Sequence, residues 1–217
     1  MAGSGLGAGK IALIVIVTVV AGVIVATVAG VMPGASAYLG FAKQKDLGIK
    51  ADKAAFDSAM VKTGIKADYP ATPVATGQLK VTGKKKLDAT FTDDEVSALI
   101  NAYVEPFEYN VRGVQVVFHD GGKGEASALV TYQGKDYPGY ITGTVSLANG
   151  RVTGSATSAN AAGIPAKGSW LALGETKSID FFNLQLAIPN LVIETAEMTE
   201  GQVRVTGTVP RSIAVTP

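Results

Sequence analysis

No cysteine occurs among the 217 residues, and there is a single histidine, His119. The first absence excludes disulfides, thiolate metal sites, a cysteine nucleophile and a lipid-modified cysteine as anchor. The two together leave too few soft ligands for a zinc site of the usual kind within one chain. Neither sign of charge is in excess: 19 Lys and Arg stand against 18 Asp and Glu, a formal net charge of +1. Such a chain has no surplus of cations with which to displace counterions, so nucleic acid is not expected as a partner. Aromatic residues are sparse at 7% while glycines number 26, which points to a β-rich domain with tight connections and away from a helical bundle.

Against these absences stands one long apolar run, residues 11–31 (IALIVIVTVVAGVIVATVAGV), without a charge or a strongly polar amide. At about 1.5 Å per residue such a helix spans about 30 Å, the hydrocarbon thickness of a bilayer. Ala35-Ser36-Ala37 resembles a signal-peptidase site, yet cleavable signals carry a shorter apolar stretch of about 7 to 15 residues. An uncleaved signal-anchor is therefore expected. Flanking charges nearly balance, with Lys10 and the α-amine before the run and Lys43, Lys45 and Lys50 after it; the count leans slightly towards a cytoplasmic domain but, at a difference of about one charge, decides little. The tail 1–10 is glycine-rich, but Ser4 and Ile11 stand where a phosphate loop needs Gly and a hydroxyl. The expected organisation is a flexible tail at 1–10, a transmembrane helix at 11–31, a juxtamembrane connector at 32–45 and a soluble domain at 46–217.

Within the domain, a helix of about 12 residues is expected from Asp52, with Phe56 and Met60 four apart and Gly64 placed to stop it. The pentapeptide GIKAD occurs at 48–52 and again at 64–68, bracketing that helix. A strand is expected at 77–82, followed by Lys84-Lys85-Lys86 as a solvated turn. Thr92 and Glu95 then form a capping box. It opens a second helix to about Val104 that buries Val96, Leu99, Ile100 and Tyr103. Asp93 and Asp94 complete an acidic first turn, favourable at the positive end of the helix dipole. From 113 onwards the pattern is strand: 113–118 with 126–133, 140–147 with 151–158 around Asn149-Gly150, and 191–198 with 202–209. A short third helix is expected over 179–186. GQLKVTG at 77–83 and GQVRVTG at 201–207 read as equivalent half-buried strands.

Chemistry is thin. His119 beside Asp120 could orient an imidazole for base catalysis, but neighbouring strand residues point to opposite faces and no nucleophile motif accompanies them. His119 reads as a turn histidine. No catalytic residue, metal site or cofactor is expected. Trp170 could line a groove, and Phe181, Phe182, Leu184 and Leu186 on the third helix could cover one.

The order of these features resembles a group of uncharacterised bacterial single-pass membrane-anchored proteins with an extracytoplasmic α+β domain. The resemblance rests on Asp46-Leu47-Gly48-Ile49, on 91–101 (FTDDEVSALIN), and on Ile188-Pro189-Asn190-Leu191 followed by 201–210. Some relatives look like tubular lipid-binding (TULIP-like) proteins, and the resemblance implies a domain outside the cytoplasmic membrane that holds an acyl chain or meets envelope polymers. The expectation is thus an α+β protein of the cell membrane: an N-terminal transmembrane helix followed by a mostly antiparallel β-sheet domain with two or three helices. It would be non-enzymatic, with membrane lipid around its anchor and an apolar ligand in a groove formed by Trp170, Phe181, Phe182, Leu184 and Leu186. The alternative is a structural or interaction subunit that meets a membrane protein partner.

Overall fold

The computed structural model describes residues 43–63, 79–103, 110–132, 135–148, 151–161, 164–169, 171–172, 175, 192–209 and 211–215. The expected membrane span at 11–31 and helix at 179–186 lie outside them. No helix among the described residues is long and apolar enough to cross a membrane.

The described part is α+β and mostly antiparallel strand. Helix α1 (Lys53–Thr63) leads to strands β1 (Leu79–Thr82) and β2 (Lys85–Thr92), helix α2 (Asp93–Tyr103), and strands β3 (Asn110–His119) and β4 (Lys123–Tyr132). Next come β5 (Lys135–Ala148), β6 (Arg151–Ala161), β7 (Ile164–Ala166), β8 (Val192–Thr199), β9 (Gln202–Val209) and β10 (Ser212–Val215). One sheet is a meander, β3-β4-β5-β6-β7; the other runs β2-β9-β8, with β1 and β10 paired beyond it. Thr82 faces Ser212 and Lys85 faces Val209, so the β1–β10 ladder continues the β2–β9 register without a slip. Lys85 and Lys86 are thus strand residues, correcting the solvated turn expected there. Lys85 Nζ donates to the Thr63 carbonyl at 2.6 Å, satisfying the C-terminal end of α1.

Alternation decides which sides of the strands meet. In β9, Val203, Val205, Gly207 and Val209 are buried while Gln202 and Arg204 are exposed. Gly207 lies between Leu87 and Ile193 in the register, and a Cβ there would come within 2.2 Å of the Val192 carbonyl oxygen. Only glycine allows β8 to approach β9 so closely at its bulge. The largest wholly buried side chains are Phe56, Phe91, Leu99, Ile100, Phe118 and Ile193. They come from α1, α2 and both sheets, so the two sheets share one core.

Helix α2 begins as its residues dictate. The Thr92 N–H donates to Glu95 Oε2 at 2.8 Å, and the Glu95 N–H donates to Thr92 Oγ1 at 3.3 Å. Glu95, 4% exposed, also accepts from Ser58 Oγ at 2.6 Å and Lys62 Nζ at 2.7 Å, fixing α1 to α2. The other two acids of the turn serve different partners. Asp94 Oδ1 accepts the Lys50 N–H at 2.9 Å, and Asp93 Oδ1 accepts the Phe118 N–H at 3.0 Å.

Asp93 is the first rung of a polar zipper along the free edge of β3. Ser97 Oγ accepts the Val116 N–H at 2.9 Å, and Asn101 Oδ1 accepts the Val114 N–H at 2.8 Å. Asn101 Nδ2 donates to the Val114 carbonyl at 2.8 Å and to the Ser97 carbonyl at 2.9 Å. The rungs match because four helical residues rise about 6 Å while two strand residues rise about 6.6 Å. A helix whose apolar face carries polar residues at every fourth position thereby stands in for a missing strand.

Candidate functional site

The meander has two unlike faces. Val114, Val116, Phe118, Ala126, Ala128 and Ile141 point into the core. The alternate positions Gln115, His119, Glu125, Ser127 and Tyr140 share the other face. Across the β3–β4 part of that face lies the segment 43–50, which has no regular secondary structure. Leu47 N–H donates to Gln115 Oε1 at 2.6 Å, and Ser127 Oγ donates to the Lys45 carbonyl at 2.6 Å. Ser127 is wholly buried for this reason, although its neighbours Ala126 and Ala128 face the opposite side. Gln44 Nε2 donates to the carbonyl of Gly113 at 2.5 Å. Gly113 sits in the β3 bulge with φ 62, and a Cβ there would lie 3.1 Å from Gln44 Oε1. Gln44 and Lys45, counted with the connector in the sequence reading, are therefore bonded to the domain.

Glu125 is the hub of the polar face. Its Oε2 accepts from Tyr140 Oη and from Lys45 Nζ at 3.1 Å, and its Oε1 lies 3.1 Å from His119 Nε2. Lys45 Nζ also stands 3.7 Å from the centre of the Tyr140 ring, a cation–π distance. The hydrogen bond from Tyr140, joined by those from Lys45 and His119 and opposed by burial, holds the Glu125 carboxyl down at about 2. Burial raises the Tyr140 phenol above its ordinary value, and the Glu125 acceptor adds to that. Contact with Tyr140, and then Glu125, raises the Lys45 ammonium against the opposing effect of burial.

His119 ends β3, and on its other side Nδ1 lies 3.0 and 3.1 Å from the two carboxylate oxygens of Glu200. Burial alone would lower the imidazole, but Glu125 and Glu200 together outweigh it and raise its proton affinity. Glu200 belongs to the β8–β9 turn, which three backbone N–H bonds also dock. The Glu200 N–H donates to Asp120 Oδ1 at 3.2 Å, the Gly201 N–H to the Phe118 carbonyl at 3.0 Å, and the Asp93 N–H to the Gly201 carbonyl at 3.1 Å. Beneath them the Asp93 carboxyl, 9% exposed, is raised to about 6, chiefly by burial and against the Phe118 N–H bond.

The expected turn histidine is found at a strand end, but its partners are Glu125 and Glu200; Asp120 binds the turn backbone instead. Strand alternation from a two-sided hairpin already puts His119 and Glu125 on one face. Glu200, from a turn distant in sequence, had no local signal. The groove residues Trp170, Phe181, Phe182, Leu184 and Leu186 lie outside the described residues. Among the described residues no three His, Asp or Glu side chains are grouped to hold a metal. No family model matches the chain, and neither a curated protein nor a solved structure matches it.

Proposed function

We propose that the chain is a single-pass, membrane-anchored, non-enzymatic protein of the cell envelope whose α+β domain is an interaction module lying extracytoplasmically close to its anchor. The observation that carries this reading is the docked segment 43–50, which begins a short distance after the apolar run at 11–31. A segment tied to the sheet from Gln44 onwards leaves twelve residues between anchor and domain, at most about 40 Å of chain, so a partner would meet the domain within that distance of the bilayer. The polar cluster supports a structural role: Glu125 and both nitrogens of His119 are occupied by partners within the chain.

The open part of the same face gives the module a surface. On β5 and β6, Thr144, Ser146, Thr153 and Ser155 are exposed, and Ser146 and Thr153 share a hydrogen bond at 2.8 Å. Photo-crosslinkers placed at Thr144 and Thr153 of the full chain in its native membrane test the proposal. A discrete crosslinked membrane-protein partner is expected, and the chain is expected to stay with the membrane through an alkaline wash. Release by the wash would overturn the anchor. An uncrosslinked chain that carries bound lipid in native mass spectrometry would favour the apolar groove of Trp170, Phe181, Phe182, Leu184 and Leu186 instead.

A further inference from the structure

We infer that His119 is a proton-operated clamp: as imidazolium it holds the β8–β9 turn against the β3–β4 hairpin, and loss of its proton loosens that turn. The stereochemistry is the argument. Nε2 faces Glu125 Oε1 at 3.1 Å and Nδ1 faces both Glu200 oxygens at 3.0 and 3.1 Å. A carboxylate only accepts, so each nitrogen must carry a hydrogen, and only the doubly protonated ring has two. A neutral ring keeps one bond and sets a lone pair against the other carboxylate.

Which bond fails follows from the two acids. Glu125 is held on its other oxygen by Lys45 and Tyr140 and has a side chain only 26% exposed. Glu200 is 69% exposed, and its carboxylate has no other side-chain partner among the described residues. The neutral ring therefore keeps Glu125 and releases Glu200. The other charged groups near the ring are of both signs: Asp120, in the turn that follows β3, and Asp93 of α2 are acidic, while Lys45 is bonded to Glu125 and Lys123 is the cross-strand neighbour of His119. As pH rises, Asp93 gains its charge below the Gly201 contact while His119 loses its own. Both changes leave more unbalanced negative charge where two elements meet.

The β8–β9 turn does not come free, because Gly201 remains bonded to the Phe118 carbonyl and the Asp93 N–H. Its local opening becomes more frequent. This is how a surface turn of one sheet, docked against the edge of another, would register acidity without unfolding either sheet.

The test uses the full chain in detergent micelles. As the only histidine, His119 gives a single imidazole titration by NMR after histidine labelling. Hydrogen exchange of peptides covering 199–202, corrected for intrinsic rates, is measured across the same pH range. Protection of the turn is expected to fall with the midpoint of the ring titration. By linkage the fold-loss should match the shift in ring midpoint between wild type and Glu200→Gln, tenfold for about each pH unit. Glu200→Gln should lower the ring midpoint and flatten the step, whereas Asp93→Asn should leave a step that follows the ring. Protection that stays flat through the wild-type titration overturns the clamp. So does a step that survives Glu200→Gln and disappears in Asp93→Asn.

Discussion

Helix α2 and the segment 43–50 both lie against β3, and both are tied to it by side chains instead of a β-ladder. They differ in what happens when a bond is removed. The bonds of Asp93 and Ser97 lie in the interior and those of Asn101 are half-buried, while Val114, Val116 and Phe118, which they serve, are shut away from water. Most of the segment's bonds, those of Gln44 and Lys45 among them, lie at the surface. A broken surface bond is replaced by water, while a buried group left without a partner costs about 1 to 3 kcal/mol. The helix is thus part of the fold, and the segment is an attachment to it.

The largest effect expected from this contrast is at Asn101. Asn101→Leu keeps the volume but strands the Val114 N–H and carbonyl at the edge of β3. Destabilisation of about 2 to 4 kcal/mol in denaturant unfolding is expected. Ser97→Ala, which strands one N–H, should cost about 1 to 3 kcal/mol. Equal and small losses at both positions would remove the distinction between helix and segment.

Asp93 sharpens the comparison because it is the one ionisable rung. Its carboxyl is raised from an ordinary 3.8 to about 6. The folded chain therefore holds this proton through a range in which the unfolded chain has lost it, and stability falls as pH rises from about 4 to 6. The difference amounts to about 3 kcal/mol at one pH unit per 1.36 kcal/mol. Asn keeps the acceptor for Phe118 N–H without the charge. Asp93→Asn should match the wild type in stability near pH 4 and exceed it at pH 7, by up to about 3 kcal/mol. Glu125 works with the opposite sign: its carboxyl is depressed to about 2, so its contribution is present above about 4.5 and is lost as pH falls towards 2. Thermal unfolding between pH 2 and 6, below the range in which His119 gives up its proton, separates the two, since there only the acid-side loss should survive in Asp93→Asn.

What the sequence made legible followed the range of the interactions. The capping box of Thr92 and Glu95, the first helix and the three hairpins expected from 113 onwards depend on residues near one another, and each is present. The strand over Lys85 and Lys86 was hidden because its alternation has meaning only beside β9, more than a hundred residues away. Asp93, Ser97 and Asn101 were visible as polar residues four apart on an otherwise apolar face. Capping and dipole chemistry accounted for the first, and nothing local pointed to a strand edge needing donors and acceptors. Glu200 had no such pattern at all: it reaches His119 only because two hairpin turns meet.

The smallest expected effect is in the attachment itself. Gln44→Ala removes one bond to the Gly113 carbonyl, and Lys45→Ala removes an ion pair whose lysine is 49% exposed. Each should change global stability by less than about 1 kcal/mol, the range for exposed pairs. The sensitive measurement is local. Leu47 N–H donates to Gln115 and the Lys45 carbonyl accepts from buried Ser127, so detaching the segment should expose both. Exchange at Leu47 should rise in Gln44→Ala and Lys45→Ala, while amides of Val114 and Val116, held by α2, stay protected. If those β3 amides loosened together with Leu47, the segment would be part of the same cooperative unit as the helix.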